Sequence, residues 1–136
     1  MEKYNLQNDL SVFGIQVKTF PHGISGAFDG LVKKVGGFDR PFYGISYMKN
    51  GSMVYLATAL EKSTGEAATF NCERYTIEKG EYLVTTVYDW RKKTDTIKDV
   101  FAEMLKDNRA DRMKPAIEWY KDEHEMVCMI KIEVNN

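Results

Sequence analysis

The chain has few of the residues that define several classes of protein. It contains two cysteines, Cys72 and Cys128, and two histidines in 136 residues, so neither a disulfide scaffold nor a histidine-rich metal site is expected. No uncharged apolar run approaches the ~20 residues that a membrane helix needs, and no apolar N-terminal signal is present. We therefore expect a cytoplasmic protein that binds no metal and uses no cofactor.

Neither acidic nor basic residues are in clear excess. The 19 basic and 20 acidic residues give a net charge of −1, and no long block carries a single sign. Nucleic-acid backbones and anionic membranes attract strongly basic surfaces, so neither is expected as a direct partner. The length fits one compact domain over residues 1–136.

The chain does contain a weak internal repeat. A shift of 73 residues places 22–60 on 95–133 without a gap, with six identical positions, and it places Ile45 on Glu118. The structural patterns of the two segments coincide as well, because each has a β-rich stretch, then apolar residues three and four apart, then two more β-rich stretches. The pattern predicts a strand-helix-strand-strand unit twice, over about 10–60 and 74–134.

Two such units predict an α+β fold. The predicted strands are 10–20, 42–48 and 53–60 in the first half and 74–88, 116–121 and 125–134 in the second, with helices near 24–35 and 97–105 and an exposed connector at 61–71. Gly36-Gly37 is expected to end the first helix, and a break is expected at 78–80. The units would join into a curved, mainly antiparallel sheet with both helices on one face and a central ligand cleft where the halves meet.

Glu118 suggests a function most directly. It interrupts residues 115–120, Pro-Ala-Ile-Glu-Trp-Tyr, which otherwise have the pattern of a buried aromatic strand. Burial of an unpaired charge is costly, so the carboxylate needs a partner or must become neutral. The partner is either a ligand or an internal cation, for which Lys114, Lys121 and Lys131 are the candidates.

Aromatic residues are numerous enough to line a cleft as well as a core. The chain has eight Tyr, seven Phe and two Trp, and each aromatic face contributes ~0.5–2 kcal/mol to the binding of a cation. The candidate wall residues are Trp90, Tyr120, Tyr82, Tyr47, Phe20 and Trp119. Packing in the core remains the alternative for each of these rings.

Several segments together resemble the GyrI-like effector-binding family, the small-molecule domain of AraC-type and MerR-type transcription activators. The resemblance is carried by residues 17–24, 43–47, 75–82, 89–90 and 117–120, and it is nearest to the free-standing, integron-associated effector-binding proteins. It implies a duplicated strand-helix-strand-strand fold with an aromatic cleft, in which Glu118 pairs with lipophilic and often cationic ligands. Regulators of the family carry an attached DNA-binding domain, which is not expected here.

Two alternatives stay open. The resemblance also extends to hydrolases of cyclopropane-containing natural products, and in such an enzyme Glu118 would activate water while Tyr120 or Tyr82 orients it. A gyrase-inhibitor-like module that sequesters a protein such as a topoisomerase would instead expose an apolar patch. The leading prediction is a binder of lipophilic, cationic aromatic molecules that acts as a drug-sequestering module or as the effector-binding part of a transcription regulator.

Overall fold

The structure, a computed structural model, describes residues 2–18 and 23–134. It is an α+β fold in which three helices accompany one curled antiparallel sheet. The strands are β1 (Glu2–Leu6), β2 (Leu10–Gln16), β3 (Phe42–Lys49), β4 (Ser52–Leu60), β5 (Glu73–Ile77), β6 (Gly80–Tyr88), β7 (Ala116–Tyr120) and β8 (Glu125–Lys131). The helices are α1 (Ile24–Val35), α2 (Glu66–Thr69) and α3 (Ile97–Met104), and two 3-10 turns, Trp90–Lys92 and Thr94–Thr96, precede α3.

The strands of the described residues form the order β1-β6-β8-β7-β3-β4-β2-β5. Strands β3 and β7 pair at the centre, so the two halves of the chain meet there; we call this pair the junction. Strand β1 pairs with β6 at one edge and β5 pairs with β2 at the other. The predicted fold class, a curved and mainly antiparallel α+β sheet, is confirmed.

The sheet has two differently packed faces, because successive side chains of a strand point to opposite sides. On the helix face, Leu31 of α1 packs in one cluster with Phe42 of β3, and Met104 of α3 packs in another with Met126 of β8. On the opposite face lies a separate core that includes Ile45. A side chain of β3 or β7 therefore either faces the helices or belongs to this second core.

Helix α1 ends as the sequence predicts. Gly36 has φ 85°, which is the left-handed conformation that glycine adopts most easily. The backbone N–H groups of Gly36 and Gly37 both donate to the carbonyl of Val32, at 3.0 and 3.1 Å.

No helix among the described residues is long and apolar enough to cross a bilayer.

The segment 61–71 differs from the exposed connector that its polarity suggests. It contains α2, and Phe70 stacks on Phe13 with ring centroids 5.6 Å apart. Glu66 accepts two hydrogen bonds from the buried guanidinium of Arg40, at 3.0 and 3.1 Å. Apolar contact on one side and a bidentate ion pair on the other hold the segment against the sheet.

The predicted strands differ from the structure mainly at their ends. The stretch 10–20 forms β2 only as far as Gln16, and 74–88 is divided between β5 and β6 at Glu78 and Lys79, as predicted. Strand β1 was not predicted, since Glu2–Leu6 is short and largely exposed.

Candidate functional site at the junction of the halves

Glu118 lies on the helix face of the sheet, in the middle of β7. Its partner across the junction is Gly44, and its partner on β8 is Cys128. A side chain at position 44 would clash with the hydroxyl of Tyr55 and with the Oε1 atom of Glu118. Glycine inside a strand marks a close approach of another group, and here that group is the ring of Tyr55, which reaches across β3 from β4.

Two tyrosine hydroxyls donate to the Glu118 carboxylate. Tyr55 Oη lies 2.5 Å from Oε1 and Tyr120 Oη lies 2.8 Å from the same atom, while the two hydroxyl oxygens are 3.4 Å apart. Desolvation by burial raises the pKa of Glu118, and the two hydrogen bonds partly oppose that rise. The hydroxyls therefore favour the ionised form of the carboxyl group, whereas burial favours its neutral form.

The internal ion pair with a lysine, considered as an alternative above, is wrong for all three candidates. Lys114 Nζ lies 2.9 Å from the carboxylate of Glu78, and Lys131 Nζ lies 3.9 Å from the same carboxylate. Lys121 Nζ lies over the ring of Trp119, 5.2 Å from its centroid. Within residues 2–18 and 23–134, no basic side chain pairs with Glu118.

Aromatic rings surround Tyr120, one of the two tyrosines that hold the carboxylate. Tyr120 packs edge-on between Phe28 of α1, with centroids 5.1 Å apart, and Trp90, with centroids 4.9 Å apart. The indole N–H of Trp90 donates to the carbonyl of Asp122 at 3.0 Å, which fixes the ring at the end of β6. The rings thus come from both halves of the chain and converge beside Glu118.

The site is not completely buried, and we call the cluster of Glu118, Tyr55, Tyr120, Trp90 and Phe28 the recess. Tyr55 is 2% exposed, whereas Glu118, Tyr120, Trp90 and Phe28 each keep part of their surface accessible. A carboxylate that is desolvated by its neighbours and still reachable from solvent can meet an incoming cation. Tyr55 is the most deeply buried residue of the recess, and Phe28 and Trp90 lie nearer the surface on either side of Tyr120.

The predicted site residues fall into two groups. Glu118, Tyr120 and Trp90 lie together in the recess. Phe20 lies outside the described residues.

Tyr47, Tyr82 and Trp119 lie on the opposite face of the sheet. The prediction that they line one cleft with Glu118 is therefore wrong, because the strand register separates them from it. Tyr47 stacks on Tyr75 at 6.4 Å, Trp119 stacks on Tyr43 at 6.5 Å, and the hydroxyl of Tyr82 donates to the carbonyl of Glu78 at 2.5 Å.

The equivalence of Ile45 and Glu118, which the shift of 73 residues suggests, is also wrong. Ile45 pairs with Leu56, so the shift would require Glu118 to pair with Met129, but Met129 pairs with Ile117. Ile45 is therefore equivalent to Ile117, and both belong to the core on the other face. The position equivalent to Glu118 is Ser46, which pairs with Tyr55 as Glu118 pairs with Cys128.

Sequence reasoning missed Tyr55, Phe28 and Gly44. Phe28 lies in the helix predicted near 24–35, where its apolar spacing indicates packing in the core. Two signals could have identified the others: Gly44 interrupts a strand of larger residues, and Tyr55 is the one aromatic ring in the mainly apolar strand 53–60.

The recess has the chemistry of a cation-binding site. It combines one carboxylate with aromatic faces, and both attract positive charge. The described residues hold no cluster of three side chains suited to a metal ion. Cys128 is fully buried beside Glu118, and burial raises the pKa of its thiol to about 12, so this sulfur is a packing group and not a nucleophile.

Comparison with known proteins establishes the fold but no family. No protein-family model matches the chain, and no curated protein matches it. Among solved structures, an integron cassette protein from Vibrio cholerae is similar with a TM-score of 0.73 and 11% identity, over 97% of this chain and 95% of that one. SAV2435 bound to tetraphenylphosphonium is similar with a TM-score of 0.71 and 14% identity, over 98% and 94%.

A hydrolase from Listeria innocua shares the fold as well, with a TM-score of 0.60 and 13% identity, over 97% of this chain and 90% of that one. At these identities the likeness shows the fold alone, and the fold is one that holds a lipophilic cation in one protein and belongs to a hydrolase in another.

Proposed function

We propose that this chain binds lipophilic aromatic cations in the recess around Glu118. The observation that carries the proposal is a carboxylate, desolvated and partly accessible, that receives two tyrosine hydroxyls and has no basic partner within residues 2–18 and 23–134. An ionised group in this position is stabilised further by a ligand that brings the missing positive charge.

Because its side chains are mainly aromatic, the site should select a ligand by its positive charge more than by its detailed shape. Trp90, Tyr120 and Phe28 offer ring edges and faces from different directions, so an organic cation with several aromatic groups can contact more than one of them. Such a site has few directional bonds for the ligand to satisfy. We therefore expect it to accept a range of lipophilic cations, as a drug-sequestering module or an effector-binding module would.

The fold of SAV2435, which holds tetraphenylphosphonium, supports the choice of ligand class. The resemblance to effector-binding domains supports the same class. A transcription regulator or a topoisomerase as a partner is not needed for the proposal.

Isothermal titration calorimetry with tetraphenylphosphonium tests the proposal. The wild type should bind the cation, and Glu118→Gln, which keeps the size and the hydrogen-bond capacity of the side chain, should bind it at least ~10-fold more weakly, since a charge pair in a desolvated site is worth more than ~1.4 kcal/mol. Triphenylphosphine oxide, a neutral molecule with three of the same aromatic groups, provides the matched ligand control, and its affinity should be nearly equal for the two proteins.

Equal affinity of wild type and Glu118→Gln for the cation would rule out a role of the carboxylate in recognition. Equal affinity of the wild type for the cation and for the neutral oxide would rule out charge as the basis of selection.

Hydrolysis is a second candidate function, favoured by the raised pKa of Glu118. A carboxylate whose pKa is raised toward neutrality is suited to take a proton from water, and the resulting hydroxide would attack a carbon of a strained cyclopropane ring, whose C–C bond opens as the other carbon gains a proton. Tyr120 would orient the water. Incubation with cyclopropane-containing natural products, followed by mass spectrometry, should show a gain of 18 Da if the chain is such an enzyme and unchanged compound if it only binds.

A further inference from the structure

A second cavity lies on the opposite side of the sheet from Glu118. Its volume is about 600 Å³, within the range of about 300–1,000 Å³ that small-molecule sites occupy. It is lined by the corner between β5 and β6, by the segment that leads into β7, and by the end of β8. Tyr82 and Ile117, which border it, belong to the core on the face away from the helices, so this cavity and the recess are separate.

Lys131 places a buried positive charge in this cavity. The residue is 8% exposed, which is uncommon for a lysine, because an ammonium group loses its hydration on burial. Gly80 permits this position, since the lysine stem occupies the space that a side chain at position 80 would need. The ammonium group lies 6.0 Å from the centroid of the Tyr82 ring.

The ammonium of Lys131 has no hydrogen bond to any described residue. Its nearest carboxylate oxygen is Glu78 Oε1 at 3.9 Å, and that oxygen already accepts Lys114 at 2.9 Å. Glu78 and Lys114 are exposed at the rim, where water competes with their pairing. Lys131 is thus a largely buried residue whose ammonium group has three N–H bonds to donate and only a distant, shared counter-charge.

The rest of the lining fits an apolar body attached to an anion. The rings of Tyr75 and Tyr82 form one side, and Pro115 and Ile117 form another. The hydroxyl of Tyr82 is already committed to the carbonyl of Glu78, so this ring contributes its apolar surface. The second carboxylate of the lining, Asp9, accepts the backbone N–H of Lys79 at 2.8 Å and is held at the corner of the strands.

We propose that this cavity binds a small aromatic carboxylate, whose anionic group accepts hydrogen bonds from Lys131 and whose ring packs between Tyr75, Tyr82 and Ile117. A carboxylate on Lys131 would give the ammonium group hydrogen bonds that no described residue supplies. The chain would then carry an anion site and a cation site on opposite faces of one sheet. The anion site does not depend on the function proposed for Glu118.

Naphthalene-2-carboxylate and its neutral amide, naphthalene-2-carboxamide, test the assignment by calorimetry and by amide chemical shifts. The wild type should bind the carboxylate at least ~10-fold more tightly than the amide, a difference of ~1.4 kcal/mol. The largest shifts should fall on residues of β5, β6 and β8 near the cavity. In Lys131→Met the affinity for the carboxylate should fall to that for the amide.

Lys106→Met is the matched control, because it removes the same charge from an exposed position just after α3, and it should leave both affinities within a factor of two. Lys131→Gln, which keeps a polar end group, provides a second variant if the methionine variant does not fold. Tetraphenylphosphonium should not displace the carboxylate.

Three results would overturn the assignment. They are a wild type that binds carboxylate and amide equally, a Lys131 variant that keeps the preference for the carboxylate, and shifts confined to the helix face around Glu118.

Discussion

Gly44 lies directly opposite Glu118 across the junction, and the ring of Tyr55 fills the space that a side chain at position 44 would need. The absence of one side chain therefore creates the hydrogen bond between Tyr55 and Glu118. The carboxylate is held from one side by a tyrosine of the first half and from its own strand by Tyr120. The site exists only because both halves contribute to it.

Gly44→Ala should break this arrangement. The added methyl group would clash with the Tyr55 hydroxyl and with Glu118 Oε1, and displacement of the ring should lower the free energy of unfolding by about 1–3 kcal/mol. Urea denaturation measures the change. Gly30→Ala in α1 is the control, since nothing lies within 4 Å of the new methyl group there, and alanine should stabilise the helix by about 0.5–1 kcal/mol.

Tyr55→Phe should raise the pKa of Glu118 further. The hydroxyl of Tyr55 lowers this pKa by donating to the carboxylate, and phenylalanine keeps the ring but removes the donor. A carbon-13 NMR titration of the glutamate carboxyl groups should show one resonance whose midpoint moves to higher pH. Tyr43→Phe, buried on the opposite face, should leave that midpoint unchanged; the same midpoint in wild type and Tyr55→Phe would contradict the hydrogen bond.

The affinity for a lipophilic cation should increase with pH. Desolvation holds the pKa of Glu118 above its ordinary value of 4.5, so the group is protonated over a range of pH in which an exposed glutamate is ionised. A cation binds the ionised form, and its affinity should therefore rise from pH 4.5 up through the raised pKa and then level off. Titration of tetraphenylphosphonium between pH 4 and 8 measures this profile, which should be flat for Glu118→Gln.

Glu66 should contribute stability that acid removes. Its bonds to the Arg40 guanidinium lower its pKa from 4.5 to about 2, so the folded state holds the carboxylate ionised where the unfolded chain binds a proton. The contribution is present above pH 4.5 and is lost as the pH falls toward 2. Melting temperatures recorded between pH 2 and 7 should show a smaller acid-dependent decrease for Glu66→Gln than for the wild type.

Asp39→Asn is the control for that comparison. Asp39 pairs with Lys62 at an exposed position, where ion pairs contribute little because water screens them. The melting temperature of Asp39→Asn should depend on pH as that of the wild type does. A Glu66→Gln profile identical to that of the wild type would show that the Arg40 pair does not stabilise the fold.

The fold could be predicted from the spacing of apolar residues along the chain. The arrangement of the site could not, because it depends on how the residues of neighbouring strands pair. Apolar spacing located α1 and α3, and alternation located the strands of both halves. The single acidic residue in the apolar stretch 115–120, Glu118, could also be recognised from the sequence. The ungapped shift of 73 residues fits β4 on β8 but fails by one residue for β3 on β7, because the two hairpin turns differ in length, and one residue moves a side chain to the other face.

That single residue explains two of the errors in the predicted site, but not the grouping of Tyr82 and Trp119 with Glu118. It equated Ile45 with Glu118, and it placed Tyr47 on the face of Glu118. Tyr55 could not be found from the spacing within its own strand, because its contact with Glu118 crosses β3 at Gly44. Such a contact needs the order of the strands, which the sequence patterns did not specify.

The pairing of β1 with β6 and of β5 with β2 has a topological consequence. Each half sends its leading strand onto the sheet of the other half, so the chain has the connectivity of a strand-swapped dimer whose two subunits have been fused. A half taken alone would have a leading strand without a pairing partner and a sheet edge without its outermost strand. The exchange of these edge strands therefore links the two halves at both edges of the sheet, in addition to the β3–β7 pair at its centre.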